Sequence, residues 1–132
     1  MQLSDNFSLN EFTKSDTAVR KGIDNTPNDV HLENMKALCE NVLQKVRSHF
    51  GKSVRITSGY RSPELCEAIG SSSKSQHAKG QAADFEITGI DNKELAKWIR
   101  DNVDFDQLIL EFYTEGDPNS GWVHCSYNST SN

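Results

Sequence analysis

The sequence predicts a small α+β domain in which helices pack on one side of an antiparallel sheet, and three observations carry that prediction. Helix signals dominate the first half of the 132 residues and strand signals the second. The two densest strand-forming runs are separated by Gly, Asp-Pro and Asn residues, the composition that turns a chain back antiparallel to itself. The length suits one domain, 1–132, with its own core and no need of a covalent staple.

Ser8 and Glu11 stand at capping-box spacing and predict a short helix from Asn10 to about Ser15. Thr26-Pro27 predicts the start of a long helix, with Thr26 as N-cap and the proline in the first turn, where its missing N–H is not needed. Val30, Asn34, Leu38, Val42, Val46 and Phe50 form the stripe of that helix, flanked by Leu32, Met35, Cys39 and Leu43, and Gly51 supplies a left-handed stop. Val54 to Thr57 alternates as a half-buried strand does. Ser62-Pro63 opens a helix over Glu64 to Ile69 that Gly70 ends, and a loop of small polar residues follows to Ser75. Gln81 to Ile87 is a strand with Ala82, Asp84 and Glu86 on one face and Ala83, Phe85 and Ile87 on the other. Asp91 and Glu94 form a second capping box, before a helix that turns Leu95, Trp98 and Ile99 inward. Gln107 to Phe112 and Gly121 to Tyr127 are the last two strands, and the tail 128–132 is expected to fray.

Composition excludes several functions. The net charge is −5, so there is no cationic field for nucleic acid or for an anionic membrane surface. No apolar run approaches the ~20 residues of a bilayer span. The first residues, Met1-Gln2-Leu3-Ser4-Asp5-Asn6, carry neither the basic nor the apolar part of a secretion signal, so synthesis in the cytoplasm is expected. Cys39, Cys66 and Cys125 are odd in number and contain no C-x-x-C, which suits free thiols rather than a disulfide framework or a thiolate metal cluster. A monomer is expected.

The chemistry concentrates around His77 and Asp84. A histidine on the loop and a carboxylate on the following strand can meet one ion, with Gly80 between them allowing a tight backbone path. His124, central in the last strand and on the same face as Trp122 and Ser126, is the candidate third ligand. Two imidazoles and one carboxylate leave zinc a fourth, open position, the catalytic arrangement. A His-x6-Asp spacing also arises by chance. On spacing alone His77 can equally be a hydrogen-bonded core histidine, and Asp84 a turn cap or a partner of lysine. The site of Asp84, between Ala83 and Phe85, favours a partner, because aspartate is depleted in strands and its desolvation needs an offset. His31 and His49 have no partner at ligand spacing, and Cys125 should point to the opposite face from His124.

Ser75-Gln76-His77-Ala78-Lys79-Gly80-Gln81-Ala82-Ala83-Asp84 resembles the S-x-H-x-x-G-x-A-x-D signature of the M15 family of zinc D-alanyl-D-alanine carboxypeptidases and related peptidoglycan peptidases. Ser58-Gly59-Tyr60-Arg61-Ser62 and Gly121-Trp122-Val123-His124 are similar to two further segments of that family, and the first half resembles its short phage and prophage members. The amino-terminal domain of hedgehog proteins shares this zinc site. The resemblance implies a hedgehog/DD-peptidase-like fold, zinc held by His77, Asp84 and His124, and Glu111 as general base. It also implies that Arg61 orients substrate or stabilises an oxyanion, and that Ser75 and Trp122 contact substrate. The implied function is hydrolysis of a peptide bond in peptidoglycan stem peptides, as a carboxypeptidase or an endopeptidase, by a phage or prophage product acting on the cell wall after release. The hedgehog likeness leaves the alternative of a catalytically silent zinc-containing binding module. Asp106 and Glu115 are fallback bases, because some relatives carry their glutamate three residues before the last histidine, where this chain has Gly121. Departures from family patterns at Cys66 and Ser71 bear on the cleft wall and on substrate preference.

Overall fold

A computed structural model describes residues 1–128, so the expected fraying of the tail lies, beyond Asn128, outside the described residues. The first strands, β1 (Gln2–Ser4) and β2 (Phe7–Ser8), pair antiparallel and bury Leu3 and Phe7. They are too short for any periodicity in sequence. Helix α1 (Leu9–Thr13) forms with its capping box intact, Glu11 accepting from the Ser8 N–H at 2.7 Å. A second short helix, α2 (Asp16–Lys21), is absent from the sequence reading; Ser15 caps it by accepting from the Ala18 N–H.

The long helix begins later than Thr26-Pro27 predicts. Asn28, not Thr26, is the N-cap, its Oδ1 accepting from the His31 N–H at 2.8 Å, while the Thr26 N–H is taken by Asp24. The helix runs as α3 (Asp29–Leu38), a π-helical turn (Cys39–Leu43) and α4 (Gln44–Phe50), and Gly51 closes it at φ 64°. Its buried face is Met35, Leu38, Cys39, Val42, Leu43 and Val46, and Val30, at the head of the predicted stripe, is 68% exposed. The reason is geometric: each four-residue step advances about 40° around a helix of 3.6 residues per turn, so a strict i+4 stripe leaves the core within a few steps.

The remaining elements are β3 (Arg55–Ser58), α5 (Pro63–Ala68), a 3₁₀ turn (Gln76–Lys79), β4 (Ala82–Glu86), α6 (Asn92–Asn102), β5 (Gln107–Glu111) and β6 (Trp122–Ser126). The main sheet is antiparallel throughout, in the order β3-β4-β6-β5. This is the predicted α+β class. One face presents Ala83, Phe85, Ile87, Val123 and Cys125 to a single core shared with Leu38, Val42, Val46, Leu95 and Ile99 of the helices. Trp98 is half-buried and stacks on His49 at 4.3 Å between ring centroids. Asp91 caps α6 through the Lys93 N–H, and the Glu94 half of the predicted box does not form. Among the described residues no helix is long and apolar enough to cross a membrane.

All three cysteines are free and buried. Burial pushes the Cys125 thiol up to about 12, and Cys39 is raised further by burial and by nearby Glu11 and Glu40. Cys66 is also raised by burial, with Arg61 acting in the opposite direction. Because the thiolate is the reactive form, native protein at pH 7 is expected to react with a thiol-specific chromogenic reagent only as it unfolds. Rapid labelling of any of the three before unfolding would contradict this burial.

Candidate metal centre

The opposite face of the sheet carries the candidate site. Period-two alternation puts Ala82, Asp84 and Glu86 on that face, and the register pairs Asp84 with His124 across β4 and β6. His124 in turn pairs with Ile109, and Trp122 with Glu111, so β5 brings Glu111 to the same face one step along from His124. Residues forty positions apart in sequence thus become neighbours through the ladder alone.

His77 reaches the face from the 3₁₀ turn rather than from the open loop the sequence suggested. Ser75 caps that turn, its Oγ accepting from the His77 N–H at 3.2 Å. Gly80 ends it at φ +74°, where a Cβ would collide with the carbonyl oxygen of His31 in α3. Asn34 of α3 donates to the Lys79 carbonyl, so the turn rests directly on the long helix. Gln76 donates to Asp106 at 2.8 Å and ties the turn to the start of β5.

The three predicted ligands converge. One ligand atom from each of His77, Asp84 and His124 lies within 4.8 Å of the others, and all three residues are buried. His77 Nδ1 is 2.7 Å from the Gly59 carbonyl oxygen. A carbonyl only accepts, so Nδ1 carries a proton and the ring is turned with Nε2 toward the centre. That Nε2 is 3.5 Å from Asp84 Oδ1, and His124 Nδ1 is 2.8 Å from the same oxygen. Burial pushes the Asp84 carboxyl up, but the hydrogen bonds and charges of His124 and His77 outweigh it and bring it down to about 2, so it stays ionised.

These donors suit a divalent cation. Tetrahedral ligands at 2.0–2.2 Å from zinc are separated by about 3.3–3.6 Å; the His77–Asp84 separation of 3.5 Å falls in that range, and the His124–Asp84 separation of 2.8 Å, a direct hydrogen bond, is shorter. The Gly59 carbonyl is the outer partner that fixes a ligating imidazole in one tautomer. Among the described residues no cysteine, and neither His31 nor His49, joins the group. Cys125 lies on the core face, as the alternation predicts.

Glu111 is half-buried, and its side chain makes no hydrogen bond or ion pair among the described residues. Trp122 is half-buried, its Nε1 lacks a partner, and its ring leans on Phe112 at 5.1 Å. Arg61 is half-buried, its N–H donates to the His77 carbonyl at 3.2 Å, and its Nε is buried without an acceptor. The two fallback bases are engaged elsewhere, Asp106 with Gln76 and Glu115 with Lys93 at 2.9 Å.

Asn25 escaped the sequence reading. Its Nδ2 donates to the carbonyls of Thr13 and Tyr60 at 2.9 and 3.0 Å, and its Oδ1 accepts from the Ser62 N–H at 2.7 Å. It therefore grips the main chain on both sides of Arg61. No local pattern announces it, because its partners arrive from 12 to 37 positions away. Asn25→Ala is expected to lower stability by roughly 1–3 kcal/mol in denaturant unfolding, since it strands a buried amide and two carbonyls. Metal content should be unchanged.

Comparison with curated protein sequences gives no match. A family model described as Peptidase M15 matches residues 5–126, from the start of the β1–β2 turn through the end of β6. With nearly the whole fold inside that match, and with the His77–Asp84–His124 group assembled on its sheet, the chain belongs to the peptidase M15 family of metallopeptidases.

Proposed function

We propose that this protein hydrolyses a peptide bond in the stem peptides of bacterial peptidoglycan, with zinc held by His77, Asp84 and His124. The convergence of two imidazoles and one carboxylate, all buried, on one sheet face, with the Glu111 side chain unpaired on the same face, is the observation that supports this reading. Three ligands leave room at a tetrahedral cation for a reactant. The wall substrate rests on the likeness of the Ser58–Ser62 and Ser75–Asp84 segments to peptidoglycan peptidases.

Bound there, zinc acts as a Lewis acid that acidifies water and polarises a carbonyl. The residues of the chain supply the rest. Glu111 accepts the proton of the attacking water and delivers it to the departing amine. Arg61, always charged and with an unsatisfied Nε, stabilises negative charge developing on the carbonyl oxygen or holds a substrate carboxylate. Ser75 donates its hydroxyl hydrogen to substrate while its oxygen caps the His77 turn, and Trp122 provides an apolar wall. Both carboxypeptidase and endopeptidase cleavage fit this constellation. Mass spectrometry of purified muropeptides after incubation with zinc-loaded protein distinguishes them by the fragment released. Muropeptides that stay intact at every zinc concentration would refute the proposal.

A further inference from the structure

The β3 side of the sheet carries a feature that neither metal ligation nor the proposed proton transfer uses. β3 is an outer strand, and its one strand partner among the described residues is β4. The backbone groups that Arg55–Ser58 turn away from β4 meet no other backbone partner there. A groove of about 710 Å³ lies along this edge, lined by all of β3, by Lys14 to Thr17 where α1 gives way to α2, and by Leu65 and Ile69.

The groove adjoins the metal centre. Arg61 and Ser58 both line it. Arg61 is hydrogen bonded through its main chain to His77, and Ser58 is the cross-strand partner of Asp84. Its lining holds three cations, Lys14, Arg55 and Arg61, against two acids, Glu11 and Asp16, a formal charge of +1. Lys14, Arg55 and Arg61 make no ion pair among the described residues, and Arg61 Nε is buried without an acceptor. Of the two acids, Glu11 accepts from the neutral Ser8 N–H and Asp16 stands in the first turn of α2, and neither pairs with a cation among the described residues.

We propose that this groove takes an extended, carboxylate-bearing stretch of the peptide substrate, added antiparallel or parallel to the free edge of β3 as a further strand. This rests on the peptidase reading and extends it to substrate residues some positions away from the bond cut. The four residues of β3 span roughly 13 Å at about 3.3 Å each, the length of three or four substrate residues. Main-chain pairing of this kind gives affinity for an extended chain, and the flanking cations select the acidic one. The bulge between Ile56 and Ser58 and the charge of Arg55 also match the devices that keep idle edges from pairing, so the test must separate a used edge from a protected one.

Amide hydrogen exchange on zinc-loaded Glu111→Gln protein, with and without a saturating synthetic stem pentapeptide, makes that separation. The β3 amides facing away from β4 should exchange at least tenfold more slowly with peptide bound. Unchanged β3 exchange in the presence of bound peptide, or no binding, overturns the proposal. In parallel, unmodified protein is given the pentapeptide and a version N-methylated at the amides remote from the cleaved bond. A KM raised at least tenfold with kcat within about twofold supports the added strand. Equal KM values overturn it while leaving the peptidase reading intact. If neither peptide is cleaved, the peptidase reading fails, and exchange at β3 decides the groove alone.

Discussion

Glu111→Gln is expected to reduce turnover of muropeptides by roughly 10²–10⁴-fold, the usual contribution of a positioned general base, while metal content stays at about one equivalent per chain. Glutamine keeps the size of the side chain and its place opposite Trp122, but it cannot take a proton. The position is built with care. Beyond it Phe112 adopts φ 54°, a left-handed conformation unusual for a residue with a side chain. Facing it, Gly121 has φ +66°, and a Cβ there would collide with the Glu111 carbonyl oxygen. Asn92 of α6 fixes this junction by donating to the carbonyls of Ser120 and Gly121. The end of β5 is thus held from two sides, and the carboxylate is left without an internal partner. Turnover and metal content, measured on the same preparation, check the prediction. Full activity in Glu111→Gln would remove Glu111 from the chemistry, and a silent binding module would keep its binding in the same variant.

Asp84→Ala should abolish both hydrolysis and tight metal binding. It removes the central oxygen approached by both imidazoles, so the affinity loss should exceed the roughly 10–100-fold typical of outer-partner changes. The fold has reason to survive, because the Asp84 backbone keeps its ladder bonds and its carbonyl still accepts from Thr57 Oγ1. Denaturant unfolding with and without zinc reads the difference. Zinc at one hundred times its dissociation constant stabilises a one-site protein by about 2.7 kcal/mol. Unmodified protein should show this gain and Asp84→Ala should not.

What the sequence revealed of this fold follows from how local each signal is. The alternation in Gln81 to Ile87 set Asp84 on the face of Ala82 and Glu86, and that in Gly121 to Tyr127 set His124 on the face of Trp122, because a strand fixes side-chain direction residue by residue; the pairing of β4 with β6 then joined the two faces. The capping residues Ser8, Ser62 and Asp91 were readable for the same reason. The start of the long helix was not, since Asp24 takes the Thr26 N–H and leaves the cap to Asn28. The π-helical turn at Cys39–Leu43 has no marker in its residues. Of the site, His77, Asp84 and His124 were named from spacing and from resemblance, and their convergence is a product of strand pairing. The grip of Asn25 on both sides of Arg61, and the engagement of Asp106 and Glu115 away from the metal centre, depend on contacts between distant segments. No reading of neighbouring residues supplies them.

Zinc K-edge absorption spectroscopy on protein loaded with one equivalent reads the ligand set at the ion itself. A centre made by His77, Asp84 and His124 gives a first shell of nitrogen and oxygen at about 2.0–2.2 Å, with scattering from two imidazoles and no sulfur at about 2.3 Å. A sulfur shell, a single imidazole, or zinc that washes out on dialysis would show that His77, Asp84 and His124 do not together form the metal centre.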